Sequence, residues 1–350
     1  MLEIVVVTIL LALVFDFYNG MNDAANSVAT IVSTRVLSPR QAVAWAAFWN
    51  FVAAFVFGTA VAQAIHGKVL ESESISHALI LATLVGAIAW THLCTKVGLP
   101  ISVSHALIGG LIGAGLMQGG FDLSVLKLGG IGWIAAFIFL APLIGMAVGS
   151  LLMWAVYWIF RNRPPARVDS LFRAGQLVSS AGFSLGHGGN DAQKTMGIIT
   201  MSLVAGGYLA GPVDAVTGKV GAPAVPLWVV LAAHAAIALG TLLGGWQVIR
   251  TMGTRLTKLR PVQGFCAETA GAIVLFGVNA VGIPVSTTHS VTGAIMGAGA
   301  VRRTTAVRWV VATRILWAWL LTIPLAAATS GLTYLLMDLS GFVRWSSTLH

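Results

Sequence analysis

The chain has 350 residues, 57% of them hydrophobic and only 9% charged, with a mean hydropathy of +0.88. Soluble domains carry about 25% charged residues, so this composition cannot cover a water-facing surface and a soluble globular class is excluded. The net charge of +9 raises nucleic acid as a partner, but the basic residues stand in short loops between apolar runs, as the positive-inside rule places them, and no nucleic-acid face is expected.

In chain order the apolar runs fall at about 2–34, 41–62, 76–95, 98–118 and 129–160, then 174–206, 226–249, 262–281, 283–300 and 306–337. A helix needs roughly 20 apolar residues to cross a bilayer, and the alternation of about 10 residues that marks outer-membrane barrels is absent. An all-α polytopic membrane protein with about ten to twelve membrane segments follows. The runs near 30 residues must tilt, kink or break. Met1-Leu2-Glu3 lacks the basic start of a cleaved signal peptide. Cys94 and Cys266 lie in apolar runs and read as buried small hydrophobes.

The stretch 161–173 carries four arginines and two prolines and reads as a cytosolic linker between transmembrane repeats at 1–160 and 174–340. Counting each run as one crossing, the loops on the linker's side hold fourteen of the 20 basic residues. These are Arg35, Arg40, Lys96, Arg161, Arg163, Arg167, Arg173, Arg250, Arg255, Lys258, Arg260, Arg302, Arg303 and Arg308. The opposite side receives Lys68, Lys127, Lys219 and Arg344, together with Glu71, Glu73 and Asp122. Five crossings in each half put the halves in opposite orientations, with both termini outside.

Two motifs recur across these halves. Asn22-Asp23-Ala24 returns as Asn190-Asp191-Ala192 at an offset of 168. Gly98-Leu99-Pro100-Ile101-Ser102 returns as Gly282-Ile283-Pro284-Val285-Ser286 at an offset of 184, and His105 matches His289. The 16 residues by which the offsets differ fit the loop at 207–225. Divergent copies in opposite orientation are a mark of secondary transporters.

In each half an aspartate sits at membrane depth within a Gly- and Asn-containing run, 15–27 and 183–195. A charged Asp at a helix centre costs about 2.5–3.5 kcal/mol on insertion scales. Glycine and asparagine there suggest broken helices whose freed carbonyls and N–H groups line a polar cavity. Asn22, Asp23, Asn26, Asn190, Asp191 and Lys194 are therefore candidate binding residues. Capping of short helices is the plainer account of the aspartates, and Lys194 serves equally as an anion partner or as a partner for Asp191. Pro100 and Pro284 suit a first helical turn. With Ser102, Ser104, Ser286, Thr287 and Thr288 they read as helix starts whose open N–H groups suit an anion; ordinary capping explains one such copy as well.

His105 and His289 lack a third ligand at metal spacing, so no structural metal is expected. They read as buried hydrogen-bonded histidines or as a proton relay, and His187 is similar. Glu268, a third intramembrane acid, calls for a functional or paired role, whereas Asp16 is close enough to the first motif to reach water. The Trp- and Arg-rich stretch 302–319 reads as an interfacial anchor.

GMNDAANSVAT and GHGGNDAQKTMG, with GLPISVSHALIGGLIGAG and GIPVSTTHSVTGAIMGAG, resemble the paired signatures of the inorganic phosphate transporter (PiT) family, in order and across the chain. The resemblance implies two inverted repeats with broken helices and re-entrant hairpins in the cytoplasmic (inner) membrane, and a symporter importing inorganic phosphate with H+ or Na+. It places Asn22, Asp23, Asn190, Asp191, Ser102, Ser104, Ser286, Thr287 and Thr288 at the central site, with Na+ near Asp23 and Asp191 as one option. Glu268 resembles an acidic family position, so Glu268, His105 and His289 are candidate coupling groups. At Asn50 sodium-coupled animal members carry an acid, which favours protons here. No cofactor beyond the transported phosphate and its coupling ion is implied. A PhoU-like cytosolic regulator and a homo-oligomer are partners to test for, beside the lipid bilayer.

The family also includes sulfate permeases. Phosphate keeps at least one P–OH donor at neutral pH and sulfate has none, so a carboxylate against the anion favours phosphate. An intramembrane hydrolase built on His105 or His289 with Ser102 or Ser104 is the rival from another class. The near-duplicate in the second half speaks against a single catalytic centre, so no enzyme is expected.

Overall fold

The computed structural model describes residues 1–65, 69, 76–211, 223–280 and 285–347. Among them the chain is helical, and its one β feature is an isolated bridge between Thr257 and Val307. The first half contains α1 (Leu2–Ser33), α2 (Pro39–Val52), α3 (Ala60–Ile65), α4 (His77–Val97), α5 (Val103–Gln118) and α6 (Leu128–Phe160). The second contains α7 (Pro165–Ala205), α8 (Leu227–Leu243), α9 (Trp246–Arg250), α10 (Pro261–Ala280), α11 (Thr287–Ala300) and α12 (Trp309–Leu339), followed by the short α13 (Phe342–Ser347). Because α7 starts at Pro165, only residues 161–164 separate it from α6.

Local chemistry sets several of these boundaries. Pro39 opens α2 behind Ser38, whose backbone N–H donates to Gln41 Oε1 at 3.1 Å; proline at a first position lacks only an N–H that would be orphaned anyway. Gly98 closes α4 at a φ of 74°, a left-handed conformation that glycine adopts without a Cβ clash. After it the chain turns back at once into α5.

Among the described residues five helices, or six if the bent pair Leu227–Leu243 and Trp246–Leu256 counts as one span, are long and apolar enough to cross a membrane. That is fewer than the ten to twelve segments expected, for two reasons. The arms α5 and α11 have 16 and 14 residues, which at about 1.5 Å per residue cannot bridge a core of about 30 Å. They behave as the returning arms of hairpins. And α7, though 41 residues long, carries the polar second motif through its middle.

The expected breaks at 15–27 and 183–195 are not where the helix breaks. Both stretches lie inside uninterrupted helices, α1 and α7. Their glycines serve packing instead: Gly20 lies directly on the Ile237 carbonyl of α8 and Gly188 on the Asn50 backbone of α2, approaches that a side chain would block. Among the described residues a sharp break falls instead between α8 and α9, bent by 63° at Gly244-Gly245. Pro100 does not sit in the first turn of α5 either, since Ser102 is the cap residue and α5 begins at Val103. Gly282, Ile283 and Pro284, the 212–222 part of the expected insertion, Lys68, Glu71, Glu73 and Lys219 lie outside the described residues.

The packing repeats between halves. α1 packs on α8 as α7 packs on α2; α4 lies on α1 as α10 lies on α7. Each hairpin then leaves its own half: α4 and α5 pack along α12, while α10 and α11 pack along α6. Glycines make the hairpin contacts close. Gly109 and Gly113 of α5 face the carbonyls of Ile323 and Ala327, and Gly293 and Gly297 of α11 face those of Pro142 and Met146. This interlocking brings the starts of α5 and α11 together between α1 and α7.

Candidate functional site

On a helix, side chains three and four residues apart share one face. That spacing lines up Asn19, Asn22, Asp23 and Asn26 on α1, and His187, Asn190, Asp191 and Lys194 on α7. All eight are buried, and Asp23 and Asp191 are 2% and 1% exposed. The first turns of α5 and α11 close the space between these faces.

Thr287 joins the two motifs. Its Oγ1 lies 3.2 Å from Asp23 Oδ2 and 3.2 Å from Asp191 Oδ2, and Thr288 donates to Asp23 Oδ1 at 3.0 Å. Lys194 forms an ion pair with Asp191 and donates to Ser104 Oγ at 2.6 Å. Asn26 donates to Thr288 Oγ1 at 3.0 Å. Offsets of 168 and 184 carry Asn26 and Ser104 onto Lys194 and Thr288, so these two bonds are one bond formed twice. Of the two parts the sequence left open for Lys194, the structure shows the pairing with Asp191, and the same amine also reaches Ser104 at the start of α5.

His187 Nε2 stands 3.7 Å from Asp23 Oδ2 and 3.5 Å from Asp191 Oδ2, too far for hydrogen bonds. Its Nδ1 lies 3.1 Å from Asn50 Oδ1, and Asn50 in turn donates to Thr241 Oγ1 at 2.9 Å. Donor atoms of Asp23, His187 and Asp191 lie within 4.8 Å of one another, a spacing that could hold a cation. With both carboxylates ionised, Lys194 charged and His187 neutral, the cluster carries one net negative charge. One further positive charge, whether a proton or a metal ion, would balance it.

The other candidates are distributed around this centre. Ser102 and Ser286 cap α5 and α11, accepting the N–H groups of His105 at 3.2 Å and His289 at 3.3 Å, so the capping account holds for both. Asn22 turns away to Thr95 Oγ1 at 2.8 Å, whereas both polar side-chain atoms of Asn190 are buried without a partner. Asp16 does not reach water: it is fully buried, and its Oδ1 accepts from Asn19 Nδ2 at 3.2 Å.

Glu268 is in a separate cluster, where it accepts from Thr30, Ser179 and, at 3.1 Å, Gln176. His105 and His289 meet edge to face with ring centres 4.9 Å apart, and His289 stacks on Trp319 at 3.9 Å. Trp319 is 2% exposed and donates to the Pro100 carbonyl at 2.9 Å. It is a core residue and not part of the interfacial anchor expected at 302–319; Trp309 and Trp317 remain exposed. The site role of Thr241 and the stack on Trp319 went unread in the sequence, because both residues come from distant runs and carry no local motif. Cys94 and Cys266 are free and buried, as expected.

These helices and their buried charged centre define a multi-pass membrane protein with a polar site shared between two halves. The profile described as Phosphate transporter family matches residues 19–330, and the chain belongs to that family, with phosphate as its transported substrate. It is 51% identical over 331 residues to a "Probable low-affinity inorganic phosphate transporter" of Rhizobium meliloti (strain 1021), covering 95% of this chain and 96% of that one. A protein of the same description from Bacillus subtilis (strain 168) is 38% identical over 341 residues, covering 97% and 98%. The fold matches a solved structure described as "The sodium-dependent phosphate transporter" with a TM-score of 0.82 at 24% identity, over 96% of this chain and 99% of that one. A family of transporters agrees with the expectation of a carrier and not of a hydrolase.

Proposed function

We propose that this protein is a secondary active symporter that imports inorganic phosphate across the cytoplasmic membrane together with protons. The observation that carries this reading is the bridge at Thr287, which joins the carboxylates of Asp23 and Asp191 at the start of α11. Helix starts offer open N–H groups and the positive end of the dipole to an anion. Lys194 adds a cation, and Ser104, Thr287 and Thr288 add hydroxyl donors. Among the described residues Asp23 meets Thr287, Thr288 and His187 and no lysine, so it is the carboxylate available to accept the P–OH proton of phosphate. That contact would repel sulfate.

The neighbour of similar fold is described as sodium-dependent, and two features argue for protons here. Hard cations such as Na+ prefer oxygen donors, and the third donor beside the carboxylates is an imidazole nitrogen. The partner of that imidazole is the neutral Asn50. A proton held by His187 between the two carboxylates would balance the cluster without a metal ion. A cotransported cation is needed in any case, because a negative interior opposes anion entry by about 2.3 kcal/mol per charge per 100 mV.

Uptake of labelled phosphate into proteoliposomes tests the reading. At fixed external pH, accumulation is expected to persist without sodium and to collapse with a protonophore. Asp23→Asn should abolish accumulation while the protein stays folded, and Asp191→Asn should abolish it together with a loss of stability, because buried Lys194 loses its partner. Arsenate should compete well and sulfate poorly. Uptake that requires sodium and survives the protonophore would reverse the coupling assignment, and strong sulfate competition would move the substrate to that anion.

A further inference from the structure

A second basic site lies away from the centre, at the end of the fold where α6 hands over to α7. A cavity of about 320 Å³ is lined there by Arg161, Arg163, Arg260 and Arg302, with Val156 and Phe160 among its apolar walls. The cavity's one carboxylate, Asp169, is held by Arg173 at 3.0 Å. Four arginines therefore line one space whose carboxylate is already paired, an arrangement that favours an anion able to accept several forked N–H bonds.

The surroundings indicate which anion. Arg161 lies over the Trp158 ring at 5.3 Å, and Trp154, Trp158 and Ile159 are exposed along the adjoining face of α6. Exposed tryptophan beside arginine marks the headgroup level of a bilayer. A small hydrated ion would gain nothing from the apolar walls, whereas a lipid would place its phosphate among the arginines and its acyl chains along α6. Basic pockets between helices at that depth suit anionic headgroups. We propose that this cavity binds the phosphodiester headgroup of an anionic phospholipid.

The position gives the site a consequence for transport. Arg260 immediately precedes α10 and Arg302 closely follows α11, so they hold the two open ends of the hairpin whose tip carries Ser286 and Thr287. Arg161 and Arg163 stand on the link between α6 and α7. A bound headgroup would tie the base of this hairpin to that link, 15 or more residues along the chain from the anion-binding tip.

Delipidated full-length protein in neutral detergent would be titrated with cardiolipin, phosphatidylglycerol or phosphatidylcholine, and the bound lipid counted by native mass spectrometry. Wild type is expected to retain the anionic lipids at least tenfold better than phosphatidylcholine. Arg260→Gln/Arg302→Gln and, separately, Arg161→Gln/Arg163→Gln should each lose most of that preference while eluting as folded protein. The two pairs come from different segments, so misfolding of one variant leaves the other to decide. Equal retention of all three lipids, or full anionic preference in both double variants, would overturn the proposal. Displacement of the lipid by millimolar inorganic phosphate would assign the cavity to the free ion instead. Binding of polyglutamate without any anionic-lipid preference would assign it to an acidic protein, and both results reject the lipid site.

Discussion

Lys194 and Asn26 hold matching positions on α7 and α1 and make matching bonds to Ser104 and Thr288, yet only one of them is charged. That single exchange gives the otherwise duplicated site a cation on the Asp191 side and leaves Asp23 without one. The pair Lys194–Asp191 is almost wholly buried, and breaking a buried pair by removing one partner costs about 3–5 kcal/mol because the other charge is left bare. Lys194→Met should therefore lower the thermal unfolding temperature in detergent markedly. Adding Asp191→Asn to it should recover most of that loss, since neither charge of the pair is then left without its partner, while phosphate accumulation stays absent. If the double variant is no more stable than Lys194→Met, the pairing is not what Lys194 contributes to the fold.

At the scale of elements, the hairpin arms depend on backbone contact. A Cβ added at Gly113 would run into the Ala327 carbonyl, and one added at Gly297 into the Met146 carbonyl; neither backbone can swing aside as a side chain would. Gly113→Ala and Gly297→Ala should each destabilise by about 1–3 kcal/mol, the usual cost of overpacking, read as an earlier thermal transition. Gly129→Ala, where nothing lies within 4 Å, is the control that should unfold with wild type. The hairpin starts were legible in the sequence because Ser102 and Ser286 are cap residues with a local signature. The uninterrupted course of α1 and α7 was not. Gly20 and Gly188 look like helix breakers when read locally, and only the carbonyls they touch on α8 and α2, far away in the chain, explain why they stay helical. The ring of Thr30, Gln176 and Ser179 around Glu268 was hidden for the same reason, although the need for a partner was apparent from the acid itself.

For the whole molecule, the fourteen basic residues that fall on one side when each apolar run counts as one crossing set the expected topology. In a protein lacking Cys94 and Cys266, single cysteines placed at 161–164 should react with impermeant reagents from the cytosol alone. Cysteines at 68–74 and at 212–222 should react from outside alone. Reaction of all three regions from one face would refute an inverted arrangement of the halves. The recurrence of each packing pair between halves shows that the two halves are built alike, and the labelling reads their relative orientation.

The exchange of hairpins between halves also sets a timetable for biogenesis. α5 is complete when residue 118 has been made, but its glycine face rests on α12, which ends at Leu339. At about 5–20 residues per second, the first hairpin waits roughly ten to forty seconds in the membrane for the helix that covers it, with Gly109 and Gly113 facing lipid meanwhile. The second hairpin has no such delay, because α6 is already in place when α11 emerges. Assembly therefore has a fixed order, in which the last long helix locks the earlier hairpin into the finished protein. A chain cut short within α12 would lose more than its final segment, since its first hairpin would keep no permanent neighbour on that face.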